Sequence, residues 1–308
     1  MKHRAAITVA LFSIFAGTCA VETAASAVRT KVLRFGVIAF HANEPDRVLR
    51  VYADLLTEMA RRLKPQGFEV APLVIARDLP ELSRLLGRGE VDMVAETVFV
   101  TLDLQQEPLV SLTPRLAIVR REEREYHTVF FTRKDGAIRS LEQLRGRTLV
   151  LQAERSTSAF AVPRAELAGH GIPMFPAGQP RAPRDAASFV FAGAEVNQAV
   201  WVLYGRGDAG AFNEGDWDRL PRKIRDSLTI FHETRPLLRG LVSFRTGLDG
   251  SLRQAAEAAL LDVHKEEAGR EALRKADGVT RFDRLTDTDR ASLSGWKRAL
   301  SGVTGTFK

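Results

Sequence analysis

The order of apolar and polar positions divides most of the chain into short strands and amphipathic helices. Residues 32–38 form an apolar run that predicts a first strand. After Pro45, apolar residues recur at helical spacing, at Val48, Tyr52, Leu55, Leu56, Met59 and Leu63. Gly67 ends that helix. A strand at 68–75, a short helix at 79–86 and another strand at 91–95 are predicted next. This alternation predicts an α/β fold built on parallel strands.

The second half of the chain repeats the alternation. Strands are predicted at 126–132, 148–151, 189–191, 208–212, 228–231 and 240–244. Helices are predicted at 159–167, 197–204 and 252–265, and the tail to Lys308 is predicted to be helical and charged. Each half contains a helix end, glycines, an aspartate (Asp92 or Asp208) and a strand, in that order. Each aspartate is expected to close the turn between helix and strand. This repeated order of elements predicts two α/β lobes of similar plan.

Polar and aromatic side chains follow the strands at four places. In open α/β sheets a ligand binds beyond the carboxyl ends of the strands, so these places are expected to line one cleft between the lobes. They are Phe40 and His41, Glu96 and Thr97, the run Ser156 to Ser158, and Asn213. Glu96 is suited to accept a hydrogen bond from a ligand amine or hydroxyl, and a salt bridge across the cleft is the alternative. For His41 the alternative is an ordinary solvated or core position.

The run Ser156-Thr157-Ser158 stands between an apolar strand and a helix. A helix start leaves backbone N–H groups without intrahelical partners and faces the positive end of the helix dipole. Three hydroxyls at the same point add donors, so this segment is suited to hold an anion without lysine or metal. The alternative is that Ser156 is an ordinary N-cap.

Composition and the N-terminus place the protein outside the cytoplasm. The chain has 308 residues, 45% of them hydrophobic, and a formal charge of +7 spread along its length, which indicates a basic solvated surface rather than nucleic-acid binding. Residues 1–27 have a basic head, a short apolar centre and an Ala25-Ser26-Ala27 cleavage site, which is typical of a secretory signal peptide. The apolar run from Ala5 to Ala16 is too short to span a bilayer. Cys19 is the one cysteine and falls within this segment; a lipid-anchored Cys19 is the alternative.

The sequence lacks the motifs of the common enzyme classes. It contains no His-Glu-x-x-His, no Gly-x-Ser-x-Gly and no phosphate-loop Gly-Lys-Ser/Thr signature. Gly205-x-Gly207-x-x-Gly210 matches the dinucleotide fingerprint, but it stands after a predicted helix and before a strand, the reverse of the required order. The histidines are well separated. We therefore predict no enzyme activity, no metal and no cofactor. A secreted enzyme is the alternative hypothesis, and turnover of a phosphate ester would support it.

Several segments together resemble the phosphate/phosphonate-binding proteins of ABC importers. They are Tyr126-His127-Thr128-Val129-Phe130-Phe131, Ser140-Leu141-Glu142-Gln143-Leu144-Arg145-Gly146-Arg147, Ser156-Thr157-Ser158, Gly89-Glu90-Val91-Asp92 and Gly207-Asp208-Ala209-Gly210-Ala211. The resemblance spans roughly residues 33–265. Its most specific part is the Leu-Glu-x-Leu-x-Gly segment followed by Ser-Thr-Ser.

The resemblance implies a type II periplasmic-binding fold, in which two lobes of mixed sheets flanked by helices close over a ligand cleft. Lobe 1 would comprise residues 28–125 and 234–308, and lobe 2 residues 126–233. The implied protein is a periplasmic monomer that captures a small oxyanion of the phosphonate, phosphate or phosphite class and delivers it to ABC permease subunits. A ligand-presenting input protein for a sensor or chemoreceptor is the alternative. The predicted ligand residues are Phe40, His41, Glu96, Thr97, Tyr126, Ser156, Thr157, Ser158, Glu195 and Asn213.

Two departures from the family pattern concern the organic end of the ligand. Many phosphonate binders carry Gly-Pro and a tyrosine after the third strand, where this chain has Glu96-Thr97-Val98-Phe99. Ala194-Glu195 stands where the family has a histidine. An acidic side chain near a bound dianion repels it unless a ligand ammonium intervenes, so an aminoalkylphosphonate is one ligand that would suit both ends.

Overall fold

The computed structural model describes residues 31–39, 45–180 and 183–301. The predicted signal peptide, Cys19, Phe40 and His41 lie outside the described residues. The strands are β1 (Lys31–Leu33), β2 (Phe35–Ile38), β3 (Phe68–Val70), β4 (Val74–Ala76), β5 (Met93–Glu96), β6 (Leu112–Arg120), β7 (Glu125–Tyr126), β8 (Thr128–Arg133), β9 (Thr148–Leu151), β10 (Met174–Pro176), β11 (Ala187–Phe191), β12 (Ala209–Asn213), β13 (Leu228–Glu233), β14 (Leu237–Leu238), β15 (Leu241–Arg245) and β16 (Val279–Arg284).

The helices are α1 (Pro45–Leu63), α2 (Leu79–Gly87), α3 (Val98–Leu104), α4 (Val162–Gly169), α5 (Glu195–Leu203), α6 (Glu214–Asp218), α7 (Arg222–Arg225), α8 (Gly250–Asp262), α9 (Glu267–Lys275) and α10 (Asp287–Ser301). A π-helical turn at Thr157–Ala161 leads directly into α4. Short 3₁₀ turns occur at Lys64–Gln66, Leu141–Leu144 and Val263–Lys265.

Two mixed six-stranded sheets form the framework of two lobes. The first sheet has the order β16-β6-β15-β5-β2-β4 and the second has the order β10-β11-β9-β12-β8-β13. In each sheet one side is parallel and the other is antiparallel. The chain passes between the sheets twice, and at these crossings β7 pairs with β14 in an antiparallel ladder. The residue boundaries given above for the two lobes stay a prediction.

The second sheet is buried on both faces. Along β8 and β9, Phe130, Leu149 and Leu151 pack into one core, and Phe131 and Val150 pack into another. Successive side chains of a strand point to opposite faces, so a strand covered on both sides is apolar throughout. This explains why β9 has the continuous apolar sequence from Thr148 to Leu151.

Asp92 and Asp208, at matching positions in the two halves of the chain, make equivalent hydrogen bonds. The amide of Asp92 donates to the carbonyl of Arg34 over 2.9 Å, and its carboxylate accepts from the amide of Arg34 over 3.2 Å. Asp208 makes the same pair of bonds with Thr148, at 2.7 and 2.8 Å. Each aspartate therefore fixes the start of its strand to the start of the neighbouring strand, β2 or β9, which is a structural role but not the predicted closing of its own turn.

Helix α10 packs against both sides of the crossing. Its Leu293 and Trp296 share a core cluster with Val162 and Ala165 of α4. The indole Nε1 of Trp296 donates to the carbonyl of Pro236 over 3.3 Å. This helix therefore links the first sheet's C-terminal segment to the helix that follows the Ser-Thr-Ser run.

Two predicted elements were incomplete, and one long strand was not predicted. The strand predicted at 68–75 divides into β3 and β4 around Pro72, which has no N–H to donate to a ladder. The helical tail contains β16, since Asp277 and Gly278 both adopt positive φ and end α9 before it. The long strand β6 was not predicted. It pairs with β15 and β16 and carries Arg120 at its end.

Candidate functional site

A cavity of about 670 Å³ lies at the carboxyl ends of β9, β11 and β12 and faces the end of β5 from the first sheet. We call it the main cavity. Seven of the ten predicted ligand residues line it: Thr97, Tyr126, Ser156, Thr157, Ser158, Glu195 and Asn213. Glu96 lines an adjoining cavity, described below. The positions follow from the sheets, because parallel strands present their carboxyl ends at one edge.

The Ser-Thr-Ser run forms a helix start in the wall of the main cavity. Ser156 is the N-cap, and its hydroxyl oxygen accepts from the amide of Ala159 over 3.1 Å. Capping uses the oxygen as an acceptor and leaves its proton free to donate, so the N-cap interpretation and anion binding are compatible. The amides of Thr157 and Ser158, at the first two helical positions, have no acceptor within the helix.

The hydroxyl of Thr157 reaches across the main cavity to the first sheet. Its Oγ1 donates to Oγ1 of Thr97 over 3.0 Å. Thr97 is itself the N-cap of α3 and accepts from the amide of Val100 over 3.4 Å. On the other side, the hydroxyl of Thr128 in β8 donates to the carbonyl of Ser158 over 3.1 Å and fixes the run to the second sheet. The two lobes are therefore in contact at the predicted anion position.

Four arginines that the sequence reasoning missed line the main cavity: Arg120, Arg121, Arg155 and Arg239. The segment from Arg120 to Glu125 consists of charged residues only, as is common in a solvated turn. It is a tight turn, with positive φ at Arg121 and Glu122, and it directs two arginines to the cavity wall. Arg239 follows β14 at the second crossing, and its guanidinium lies 4.8 Å from the centre of the Tyr126 ring. The sequence around Arg239 gives no sign of a binding role, because this arginine reaches the cavity only through the second crossing.

Acidic side chains partly balance these arginines. Arg120 pairs with Asp277, and Arg239 pairs with Glu123. Within the part of the chain that the structure describes, the Nε atoms of Arg120 and Arg239 are buried and have no hydrogen-bond partner. Burial, followed by the charges of Arg120 and Arg121, lowers the pKa of Arg239 to about 10. A buried donor without an acceptor costs free energy, and a bound anion would relieve that cost.

The predicted residues Glu195 and Asn213 already have protein partners. Oε1 of Glu195 accepts from Nε2 of Gln152 over 2.5 Å, and burial raises the pKa of Glu195. Asn213 caps α6: its Oδ1 accepts from the amide of Asp216 over 3.1 Å, and its amide donates to the Asp216 carboxylate. Both residues line the main cavity, but the Asn213 side chain is engaged in holding the helix.

A second cavity of about 290 Å³ adjoins the main cavity and shares Thr97, Arg120 and Asp277 with it. We call it the side chamber. Glu96 lies here and is only 5% exposed. Its Oε1 accepts from the amide of Ile38 over 3.2 Å, and burial raises the pKa of Glu96 to about 7. A salt bridge across the cleft was the alternative role predicted for Glu96, and Glu96 makes no ion pair with any of the described residues.

The described residues contain no group of three or more histidine, cysteine or acidic side chains placed to hold a metal ion. None of the helices described combines the length and the apolar character needed to cross a bilayer. The lining of the main cavity includes hydroxyls, backbone amides and guanidinium groups, which suit anion binding.

Comparison with known proteins agrees with this chemistry. Residues 36–290 match the family model described as ABC transporter, phosphonate, periplasmic substrate-binding protein. A structure of XAC2383 from Xanthomonas citri bound to ATP is 30% identical, with a TM-score of 0.80 over 90% of this chain and 100% of that one. The same protein bound to chloride ion is 31% identical, with a TM-score of 0.78 over 88% and 98%.

A more distant structure shares the fold. It is PhnD1 from Prochlorococcus marinus in complex with methylphosphonate, with 17% identity and a TM-score of 0.59 over 89% of this chain and 100% of that one. A search among curated proteins found no match. The family match covers most of the chain, and the two-lobed fold and the absence of enzyme activity accord with it. The chain belongs to the family of periplasmic substrate-binding proteins of phosphonate ABC transporters.

Proposed function

We propose that this protein captures a phosphorus oxyanion, a phosphonate or a phosphate, outside the cytoplasm and delivers it to an ABC permease. The observation that carries the proposal is the position of the Ser156 to Ser158 helix start, in the wall of the main cavity and opposite Thr97. The family membership supports a solute-binding role, and the site chemistry supports an anion as the solute.

The proposed binding mode uses the groups at the helix start. The amides of Thr157 and Ser158 and the hydroxyls of Ser156 and Ser158 would donate to the oxyanion, with the positive end of the helix dipole behind them, while the hydroxyl of Thr157 donates to Thr97. Arg239 lines the same cavity with a buried, unpaired Nε among the described residues. A guanidinium donates two parallel hydrogen bonds to phosphate or phosphonate oxygens, which adds charge and orientation.

The ligands in the related structures support an anion as the ligand but do not favour one particular anion. The Xanthomonas citri protein was solved with chloride ion and with ATP, and the Prochlorococcus marinus protein with methylphosphonate. These ligands share negative charge and differ greatly in size. We infer that the oxyanion position is common to them, and that the rest of the cavity sets ligand identity in this chain.

Family membership also supports the proposed partners. A substrate-binding protein of an ABC transporter functions by docking its closed form on permease subunits, and we propose the same role for this protein as a monomer. Uptake of the ligand by cells that carry or lack this chain would test transport directly. Unchanged uptake in cells that lack it, with impaired signalling instead, would favour a role as input to a sensor.

Calorimetry of the purified protein tests the anion site. We expect methylphosphonate or inorganic phosphate to bind at micromolar concentration or below, and sulfate to bind more weakly. The double variant Thr157→Val/Ser158→Ala removes the hydroxyl of Ser158, a donor to the anion, and the hydroxyl of Thr157, which contacts Thr97. We expect its affinity to fall by at least about tenfold, since one hydrogen bond to a charged group contributes roughly 1.5–3 kcal/mol.

A matched control is Thr229→Val, which removes a hydroxyl in β13 outside the main cavity. Its affinity should equal that of the unsubstituted protein. Failure of phosphate, phosphite and every phosphonate to bind would refute the proposal. Equal affinity of the double variant and the control would show that the anion binds elsewhere.

A further inference from the structure

We propose that the carboxylate of Glu123 competes with the bound anion for the guanidinium of Arg239. Glu123 is then a built-in counter-anion that limits the affinity of the site and assists release of the ligand. This inference rests on the proposed function, because it concerns an arginine that the ligand is proposed to reach. Both residues line the main cavity.

The first step is the position of the Arg239 side chain, which lies where the two sheets meet. The backbone amide of Arg239 donates to the carbonyl of Arg124 over 2.9 Å, next to the paired crossing strands. Its guanidinium packs over the ring of Tyr126, and Nη2 lies 3.4 Å from the place that a β-carbon would take on Gly215 of α6. The side chain is only 15% exposed. An aromatic ring and a helix thus confine the guanidinium, so a ligand acceptor has to approach it from the main cavity.

The second step is the number of acceptors that Arg239 has. Among the described residues, its guanidinium donates one hydrogen bond, from Nη2 to the carboxylate of Glu123. Its Nε is buried and has no partner there. A guanidinium carries five N–H donors in a planar fork, and carboxylates and phosphorus oxyanions are the two groups that match this fork. Glu123 and a bound phosphonate or phosphate therefore seek the same donors.

The third step is the freedom of the Glu123 side chain, which contrasts with the fixed position of its backbone. Glu123 exchanges two backbone hydrogen bonds with Arg120, at 3.0 and 2.8 Å, across the turn in which Arg121 and Glu122 have positive φ. Such backbone strain concentrates at functional sites. The Glu123 side chain is 43% exposed, and within the described part of the chain its carboxylate has Arg239 as its one partner. The carboxylate can therefore turn into solvent without disturbing the turn.

The fourth step is the balance of the exchange. A half-exposed carboxylate that leaves Arg239 regains hydration, and ion pairs of this kind are weak. A phosphorus oxyanion also receives hydrogen bonds from the helix start at Ser156, so it can replace Glu123 on Arg239. The exchange still lowers the net affinity, and the carboxylate stays close enough to take Arg239 back as the ligand leaves. A protein that passes its ligand to a permease benefits from such assisted release.

The experiment measures affinity and stability in Glu123→Gln, which keeps the shape of the side chain and removes its charge. Methylphosphonate and inorganic phosphate are titrated by calorimetry at neutral pH. We expect both to bind about threefold to tenfold more tightly, because the ligand no longer has to break a partly exposed ion pair. The melting temperature without ligand should fall or stay the same, because Arg239 loses its charged partner. A merely structural Glu123 would instead lower both quantities.

Two further variants separate competition from general charge repulsion. Glu122→Gln is the matched control, since Glu122 belongs to the same turn but pairs with Arg281 over 3.0 Å and lies outside both cavities. Its affinity should equal that of the unsubstituted protein. The double variant Glu123→Gln/Arg239→Gln is compared with Arg239→Gln alone. We expect equal affinities in this pair, because Glu123 acts through Arg239.

The outcomes distinguish this inference from the proposed function. An affinity of Glu123→Gln that is equal to or lower than that of Glu122→Gln would overturn the inference. A gain that persists in full without Arg239 would mean repulsion alone, and would overturn it as well. In both cases, binding that is weakened in Thr157→Val/Ser158→Ala would leave the proposed function standing. If no phosphorus oxyanion binds, the inference fails together with the proposed function.

Discussion

Thr97 and Thr157 bring two helix starts together at one point of the main cavity. Their hydroxyl oxygens are 3.0 Å apart, although the residues belong to different lobes. Thr97 caps α3, and Thr157 is the first residue of the π-helical turn that continues into α4. Both helix starts carry partial positive charge, and the hydrogen bond between their hydroxyls holds them at the same side of the cavity. An anion placed here meets both lobes at once.

The first prediction concerns the cap and the contact that Thr97 provides. Thr97→Val keeps the shape of the side chain but removes its hydroxyl, and we expect the free energy of unfolding to fall by about 1 kcal/mol, as for other lost N-caps. Ligand affinity should fall as well, because Thr157 loses its partner. Thr97→Ser retains the hydroxyl and should restore both quantities. Urea unfolding and calorimetry measure them; equal stability of the valine and serine variants would contradict the role of the cap.

The second prediction separates affinity from stability at Arg239. This arginine is partly desolvated, and its pKa is lowered to about 10 mainly by burial. In Arg239→Gln we expect ligand affinity to fall by about tenfold to a hundredfold, since a charged donor is lost. The melting temperature without ligand should stay the same or rise, because a buried cation is removed and its partner Glu123 is 43% exposed.

Arg206→Gln is the matched control for Arg239. Arg206 also lies over an aromatic ring, 5.3 Å from the centre of Trp201, but it does not line either cavity. Its substitution should leave ligand affinity unchanged. If both arginine variants bind the ligand equally well, Arg239 has no part in the anion site.

Local patterns in the sequence predicted much of the fold but only one part of the site. The apolar run of β9 followed by Ser156 predicted strand, turn and helix start correctly, because all the information lies within a few residues. The wall formed by Arg120 and Arg239 could not be predicted in this way. These residues are distant in sequence and meet only because β7 pairs with β14 at the crossing.

The same reasoning explains why Asp277 and β16 were missed. The C-terminal segment has the charge density of a solvated helix, and its strand is stabilised by pairing with β6 rather than by its own composition. Asp277 reaches the cavity because it lies in the turn before that strand and pairs with Arg120. Pairing with a neighbouring strand, rather than intrinsic strand propensity, determines that these residues form a strand.

The third prediction concerns the docking of α10. The two terminal nitrogens of the Arg124 guanidinium, Nη1 and Nη2, donate to the Asp289 carboxylate at 2.8 and 2.5 Å, and the amide of Thr286 adds a third bond at 2.6 Å. These donors, Arg124 first, lower the pKa of Asp289 to about 2. In Asp289→Asn we expect the free energy of unfolding to fall by roughly 2–4 kcal/mol, because the partly buried Arg124 loses the nearest of its three acidic partners, the others being Glu125 and Asp283.

The acid dependence of this pair has a definite sign. The pKa of Asp289 in the folded protein is lower than its ordinary value, so its stabilising effect is complete above about pH 4 and disappears as the pH falls towards 2. Asp289→Asn should therefore lose more stability at pH 6 than at pH 3. Asp287→Asn, in the exposed first turn of the same helix, is the control and should alter stability little at either pH.

The last prediction uses Glu96, whose pKa is shifted in the opposite direction. Its pKa is about 7 in the folded protein against an ordinary value of 4.5, and burial is the main cause. Between these values the folded protein keeps the proton and the unfolded chain has lost it. Stability therefore falls as the pH rises from about 4.5 to 7, by on the order of 3 kcal/mol, and stays at the lower level above that range.

Glu96→Gln isolates this contribution from other groups with raised pKa values, such as Asp103 and Glu195. Glutamine does not titrate, so the difference in unfolding free energy between the variant and the unsubstituted protein should shift in favour of the variant as the pH rises from 5 to 8. Urea unfolding at four pH values in that range measures it. Glu69→Gln, at an exposed position of β3, should show no such trend. Parallel stability curves for Glu96→Gln and the unsubstituted protein would mean that the pKa of Glu96 is not raised in the folded protein.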